Sequence, residues 1–341
     1  MFCAEKRQMV SNSPLGEVFV VGAGGIGCAV GYALLKAGLS VTFVDADEAK
    51  VTWGRQHGLG LAQRPLLQAN LVSFSEWKPP SQGVVLLCTK CYDNEAVLGR
   101  VPKSVPVVPI QNGFDEQLRQ RVTIEGIASF VSECIPGKTH TRITRPGKLH
   151  IGPANPNRTD VSLSDLGPLL QAFEKHGPFR VEKVEDILPY KYTKLMYNAA
   201  ISPLAAVAGF DNSKLLTIKK ARRMFFKMIE ENYAILKTAR IPLGRIGPFH
   251  PDRVHRILRQ RWLSKAMAWP FALTLRNTYC SMSGDLPLGQ TEIENYNGHL
   301  IRLAADHPCP WNQSVFRLVK LMESDHLQPG LQWLDELEPS P

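Results

Sequence analysis

Two groups of residues have the types and spacing to do chemistry. The first is a glycine loop, Gly22-Ala23-Gly24-Gly25-Ile26-Gly27, which has the pattern G-x-G-x-x-G. It follows an apolar run, Val18-Phe19-Val20-Val21, and opens a helix-like run from Cys28 to Ala37. A second strand-like run, Ser40 to Val44, then ends in Asp45. In such a unit the first glycine permits the tight turn, the second lets the backbone approach a pyrophosphate, and the third lets helix and strand pack closely. Free N–H groups and the positive end of the helix dipole would meet the phosphates. An acid at the end of the second strand stands where a ribose hydroxyl needs an acceptor. The second group lies far along the chain. Lys194, Asn198 and Ser202 are spaced i, i+4, i+8 and share one helix face. Most of that segment is apolar, and unpaired polar groups on a buried helix are costly. A line of Lys, Asn and Ser facing a cleft is one solution; a snorkelling Lys with a capping Asn is another, and spacing leaves both open.

Three further positions extend the second group. Thr291 with Glu294 three residues later has the capping-box pattern, which would put Glu292 in the first turn of a new helix, where the dipole favours an acid. Gly298 inside that helix costs roughly 1 kcal/mol against Ala, which points to close approach by a neighbour. Ser281 opens the segment Ser281-Met282-Ser283-Gly284-Asp285, separated from Glu292 by a Pro- and Gly-containing stretch. Gln111-Asn112-Gly113 follows the strand-like run Val105 to Ile110; a loop at the carboxyl end of a parallel strand is where a ligand contact belongs, and a plain Asn-Gly turn is the alternative reading.

The elements that must position these residues divide in two. Strand signals at 18–21, 40–44, 83–88, 105–110 and 127–131 alternate with helical patterns, which predicts parallel strands with crossover helices. Residues 142–152 look like a hairpin turning at Arg145-Pro146-Gly147. After about Asp186 the strands stop, and 190–208, 212–237, 251–275, 291–306 and 312–323 read as helices, the third kinked or broken at Pro270. The fold class is therefore an α/β N-terminal Rossmann domain, a parallel doubly wound sheet, followed by an all-α C-terminal domain. The expected organisation is a flexible N-terminal extension at 1–16, a dinucleotide-binding domain at 17–186, a helical substrate and dimerisation domain at 187–326, and a fraying tail at 327–341.

Composition sets limits on function. At 341 residues and 44% hydrophobic the chain has room for two ordinary cores. No signal-peptide pattern or bilayer-length apolar run is present, so a soluble cytoplasmic protein that does not engage a membrane is expected. The net charge of +9 comes largely from solvated faces of amphipathic helices; it suits anionic ligands, and no nucleic-acid motif accompanies it. Seven scattered cysteines argue against a disulfide framework, and Cys88-Thr89-Lys90-Cys91 reads as a buried strand-end cysteine with a neighbour rather than a metal pair.

Together these pieces resemble the ketopantoate reductase (2-dehydropantoate 2-reductase) family. The resemblance is carried by Gly22 to Gly27, Cys88-Thr89-Lys90, Gln111-Asn112-Gly113, Gly147 to Gly152, Lys194 to Asn198, Ser281-Met282, and Thr291 to Gly298, in order from about Glu17 to about Glu323. It implies NAD(P)H-dependent reduction of a 2-oxo acid, with ketopantoate becoming pantoate. It implies Lys194 as general acid and Asn112, Asn198 and Ser281 as holders of substrate oxygens. Glu292 would orient Lys194, the cofactor ribose or the substrate. Lys90, and with it Asn112 and Glu292, would lie near the cofactor; no metal is required. A protonated Lys suits this role because it stabilises a developing alkoxide and then donates a proton.

The chain departs from the family pattern at Ser202, on the substrate side, where an Asn is usual, and at Ser283-Gly284, where Leu-Gln is usual. These changes keep another 2-oxo acid, or an opine-type condensation, open as the reaction. A non-catalytic nucleotide sensor is the rival from another class, and the retained Lys194, Asn198, Ser281 and Glu292 argue against it. NADPH is the family default. Asp45 instead leans the expectation toward NADH, because a carboxylate accepts from a ribose 2′-hydroxyl and repels a 2′-phosphate. A homodimer is expected of helical domains of this kind.

Overall fold

The computed structural model describes residues 16–337 apart from 79, 80, 156, 157 and 159, so the expected N-terminal extension lies outside the described residues except for Gly16. Packing divides the chain into two units. The first takes the chain through Thr89, then Glu95–Ile110 and Arg121–Lys183; the second takes Lys90–Asn94, Gln111–Gln120 and the chain from Val184 onward.

The first unit contains strands β1 Val18–Val21, β2 Val41–Asp45, β3 Gly60–Leu61, β4 Asn70–Ser73, β5 Val84–Leu87, β6 Val107–Pro109, β7 Ile124–Ala128, β8 Val131–Cys134, β9 His140–Arg145, β10 Lys148–Pro153 and β11 Arg180–Lys183. Five of them form an all-parallel sheet in the order β4-β2-β1-β5-β6. β1 (VFVV) and β5 (VVLL) are buried at every residue, as strands covered on both faces must be. The chain winds outward from β1 through β2 and returns to its other side through β5, so the order reverses beside β1. The crevice for a ligand in such a sheet lies at the carboxyl ends of the strands flanking that reversal, and the glycine loop leaves β1 there.

Several sequence expectations are corrected in this unit. The single strand expected at 127–131 is two, β7 and β8, which belong to different three-stranded sheets, β11-β10-β7 and β3-β9-β8. The turn at Arg145-Pro146-Gly147 does not make a hairpin: β9 pairs with β8, and β10 pairs with β7 and β11. Pro146 lacks an N–H for a ladder, and a Cβ at Gly147 would strike the Phe130 backbone, so the chain changes sheet at this point. The helix Glu48–His57 carries little apolar signal because it buries only Val51 and Gly54; the Asp47 side chain caps it by accepting from the Lys50 N–H at 3.1 Å.

The second unit is built around the helix Leu188–Ala208, whose Leu195, Met196, Ala199, Ala200 and Leu204 lie in the larger core. Pro203 sits inside this helix and has no N–H to give the Ala199 carbonyl. The Asn297 side chain supplies the missing donor at 2.9 Å. Asn297 belongs to a buried polar chain: it bonds Asn312 (2.9 Å), which bonds Asn232 (2.7 Å), which donates to the Met196 carbonyl (2.9 Å). The expected helix at 212–237 breaks at Ile218 into Lys214–Thr217 and Lys219–Thr238. The expected helix at 251–275 breaks at residues 259–260, into Pro251–Leu258 and Arg261–Thr274, and not at Pro270. The carbonyl that Pro270 leaves open belongs to Ala266, which is exposed, so water can satisfy it. The helix Pro310–Ser324 is followed by a single turn, Leu331–Leu334, and both Leu334 and Leu337 are buried in the core. Packing therefore continues past the tail boundary expected at 327. No helix among the described residues is long and apolar enough to cross a membrane.

Candidate functional site

The glycine loop is shaped by contacts that only glycine allows. Gly22 has φ +96°, and a Cβ there would lie 2.7 Å from the Thr89 nitrogen. A Cβ at Gly27 would collide with the Gly22 carbonyl oxygen. Above Gly24 there is open space. The helix Gly25–Lys36 that follows has no side-chain cap and no acid in its first turn. Its leading N–H groups are thus presented with a positive dipole end, the arrangement a pyrophosphate requires. The residues present fit a dinucleotide.

Asp45 closes the loop from the side. Its Oδ2 accepts the Ala23 N–H at 2.7 Å and pairs with Lys50 Nζ at 3.3 Å, and its Oδ1 accepts the Asp47 N–H at 2.9 Å. Burial lowers the Lys50 pKa most of any single influence, but the Asp45 carboxylate, Cys134 and Asp47 together outweigh it and raise the value. Asp45 therefore fixes the loop's shape as well as standing at the strand end.

The second unit gathers a partly buried charge cluster. Lys90 is ion-paired to Asp285, and its Nζ is 3.8 Å from Glu292 Oε2. Glu292 is 3% exposed. Its Oε1 accepts the Cys91 N–H at 3.2 Å and its Oε2 accepts the Tyr296 hydroxyl at 3.1 Å. Burial pulls the Lys90 pKa down, yet the two carboxylates prevail and hold it above the usual lysine value. Burial pushes the Asp285 carboxyl up, with Lys90 opposing. Tyr296 is fully buried and its phenol is pushed well up, by burial first and then by Glu292.

Local structure explains how Glu292 comes to face this cluster. The expected capping box does not form: the Thr291 N–H and hydroxyl both donate to Glu323 Oε1, at 2.7 and 2.6 Å, while Glu294 turns outward to Arg302 and Lys320. The carboxylate that caps this turn comes from another helix, which pattern reading along one segment cannot see. Residues Glu294–Gly298 then form a wide π turn before the helix His299–Ala304. Gly298 is approached closely, as its cost predicts: a Cβ there would be 3.2 Å from the Phe316 ring.

Asn112 is half-buried in a loop locked to this turn. The Phe114 N–H donates to the Asn295 carbonyl (3.1 Å), and the Asn295 side chain donates to the Phe114 carbonyl (2.9 Å). Gln111 and Asn94 exchange side-chain hydrogen bonds behind it at 2.7 and 3.3 Å. Along the helix Leu188–Ala208, Lys194 and Asn198 are half-buried and Ser202 is buried. Ser281 is exposed at the start of the short helix Ser281–Asp285, with its hydroxyl beside the Tyr296 phenol. That short helix packs on Leu188–Ala208, where Cys280 Sγ donates to the Ser202 carbonyl at 3.2 Å.

Lys90 and Glu292, read separately in the sequence, therefore meet. Asp285 and Tyr296 are members of the cluster that sequence reasoning missed. A signal for Asp285 was present: it is the one acid between Asp252 and Glu292, in a strongly basic stretch.

The chain is similar to known proteins along both units. The family model described as ketopantoate reductase PanE/ApbA matches residues 18–159, and the one described as ketopantoate reductase PanE/ApbA C terminal matches residues 186–323. The chain is 24% identical over 318 residues to the 2-dehydropantoate 2-reductase of Archaeoglobus fulgidus, covering 90% of this chain and 98% of the relative. Among solved structures it is similar to a PanE/ApbA family ketopantoate reductase from Ralstonia eutropha, with TM-score 0.71, 21% identity, and coverage of 91% and 99%. D-mandelate dehydrogenase in a ternary structure with NADH and anilino(oxo)acetate gives TM-score 0.72, 18% identity, and coverage of 91% and 99%. The dimeric ketopantoate reductase from Staphylococcus aureus gives TM-score 0.66, 13% identity, and coverage of 91% and 100%. Since the two family models together span both units, the chain belongs to the ketopantoate reductase family and is an NAD(P)-dependent oxidoreductase.

Proposed function

We propose that this chain reduces ketopantoate to pantoate with NAD(P)H, using Lys194 as general acid. The observation that carries the reading is the half-buried Lys194 and Asn198 on one face of an otherwise buried helix, within a chain matched by both family models. The bound nicotinamide supplies the hydride. As negative charge grows on the substrate oxygen, the Lys194 ammonium stabilises it and transfers a proton to it. Asn112, Asn198 and Ser281 donate to the substrate's oxygens, with Ser202 on the same side. Glu292 and Asp285 hold Lys90 in its charged form at the cofactor side. Asp45 favours NADH by repelling a 2′-phosphate. The working form is a cytoplasmic homodimer, as the similarity to a dimeric relative supports.

A second reading keeps the chemistry and changes the substrate. Ser202 is smaller than the Asn usual in the family and is buried at 4% exposure, which leaves more room on the substrate side for a bulkier 2-oxo acid. Cofactor oxidation is followed with ketopantoate and with a panel of 2-oxo acids, aryl members included, using NADH and NADPH in parallel. Turnover fastest with ketopantoate and NADH is expected. A preference for an aryl oxo acid selects the second reading, and no turnover with any member, despite cofactor binding, refutes both.

A further inference from the structure

Two cysteines beside the glycine loop have no part in the chemistry above. Cys28 is fully buried in the helix Gly25–Lys36, and Cys134 ends β8 and is partly exposed. Cys28 Sγ donates to the Ala23 carbonyl oxygen in the loop at 3.1 Å; Cys134 Sγ lies 3.7 Å from the same oxygen and 3.1 Å from the Lys138 carbonyl oxygen. The two side chains also hydrogen-bond each other. The strands carrying Cys134 are seated on this helix: Thr141 Oγ1 donates to the Gly25 carbonyl at 3.4 Å, and a Cβ at Gly25 would lie 2.7 Å from the Ser132 carbonyl oxygen. The sulfurs are thus held together by packing on both sides.

The two thiols differ in a way that suits exchange chemistry. The hydrogen bond from Cys28, and then the Lys50 ammonium, hold Cys134 below the usual thiol value although burial opposes them. Cys28 is pushed well up, by that hydrogen bond first and by burial next. Cys134 is thus the accessible thiolate former and Cys28 the partner that keeps its proton. The C-x-x-C pair is the opposite case: burial pushes Cys88 up to about 12 and raises Cys91 as well.

We propose that Cys134 and Cys28 form an oxidative modification site for hydroperoxides, whose disulfide weakens cofactor binding at the glycine loop. The Cys134 thiolate attacks the terminal peroxide oxygen; the S–O bond forms, the O–O bond breaks, and the leaving oxygen takes a proton and departs as water from hydrogen peroxide or as an alcohol from an organic hydroperoxide. The Cys28 sulfur then attacks the sulfenic sulfur; the S–S bond forms, the S–O bond breaks, and the Cys28 proton leaves with the hydroxyl as water. The two cysteines lose two electrons and the peroxide gains two. The Cys28 S–H donor to the Ala23 carbonyl vanishes, while the Ala23 N–H stays tied to Asp45, so the loop loses its anchor on one side only. The effect on binding rests on the cofactor reading of this loop.

The full chain is titrated with hydrogen peroxide, mapped by non-reducing peptide mass spectrometry, and titrated with NADH and NADPH before and after oxidation. A Cys28–Cys134 cross-link is expected, with cofactor affinity lowered about tenfold, the scale of one lost hydrogen bond to a buried acceptor, and restored by dithiothreitol. Cys134→Ser leaves the Cys28 donor to Ala23 in place; it is expected to bind cofactor like the wild type and to ignore peroxide. A Cys88–Cys91 cross-link, no cross-link, or a Cys28–Cys134 cross-link with unchanged affinity overturns the proposal. Reduced protein that binds neither cofactor refutes the cofactor reading instead, and the proposed effect on binding with it.

Discussion

Glu292→Gln separates the charge of Glu292 from its shape. The carboxylate lies 3.8 Å from Lys90 Nζ. At an effective dielectric of about 20, two unit charges at that distance interact by about 4 kcal/mol. The Lys90 side chain is 30% exposed and also pairs with Asp285, so water and the second carboxylate reduce the differential to about 1–2 kcal/mol. The amide is isosteric: its oxygen can accept the Cys91 N–H and its NH2 can donate to the Tyr296 hydroxyl oxygen, reversing that bond, so the fold is expected to survive with a melting temperature lower by only a few degrees. If the charge serves turnover by holding Lys90, kcat/KM should fall about fivefold to thirtyfold, at about 1.4 kcal/mol per tenfold. The assay is loss of reduced-cofactor absorbance with ketopantoate, with thermal melting in parallel. Asp285→Asn removes the other partner of Lys90. The two substitutions should combine less than additively, because both act through one ammonium. A Glu292→Gln enzyme within about twofold of wild type would show that the Glu292 charge does not serve turnover through Lys90 and leave Glu292 a structural acid.

Three other outcomes follow from the same geometry. Asp45→Ala should lower kcat/KM with NADH more than with NADPH, and should also cost stability because the Ala23 N–H loses its acceptor; equal losses with both cofactors would make Asp45 a loop brace alone. His299 has its pKa lowered from 6.5 to about 4, by burial first and then by Arg302, Arg119 and Lys191. Its folded value is depressed, so the stability it contributes is complete above pH 6.5 and is lost as pH falls toward 4, by about 2–3 kcal/mol; urea melts at pH 7.5 and pH 4.5 should converge for His299→Leu relative to wild type. Asn297→Ala should cost about 1–3 kcal/mol by leaving the Ala199 carbonyl without its donor. Adding Pro203→Ala, which returns a backbone N–H to that carbonyl, should recover part of the loss in the same urea assay.

Much of the fold was legible because its signals are local. β1 and β5 are short apolar runs ended by Gly or Cys, and the glycine loop needs only neighbours along the chain to declare itself. The helix carrying Lys194 was legible from its Ala and Leu content despite Pro203, since the donor that rescues Pro203 comes from Asn297, remote in sequence. What was hidden depends on distant partners. The cap on Thr291 is Glu323 and not Glu294, so the local pattern pointed to the wrong acid. β9 and β10 looked like one hairpin because their turn is strong, whereas their pairing is decided by β8 and β7. The helix Glu48–His57 buries two residues and leaves almost no apolar period to read. In the site, Lys90 and Glu292 were each identifiable, but their meeting, and the place of Asp285 and Tyr296 between them, is set by the packing of segment 90–94 onto the helical unit.

The most direct test of the central claim is the turnover number of Lys194→Ala with ketopantoate, measured at saturating cofactor alongside the dissociation constant for that cofactor. A general acid contributes about 10²–10⁴-fold to rate. A loss of at least about 10²-fold in kcat is expected, with cofactor binding nearly unchanged. A kcat close to wild type would contradict the assignment of Lys194 as the proton donor.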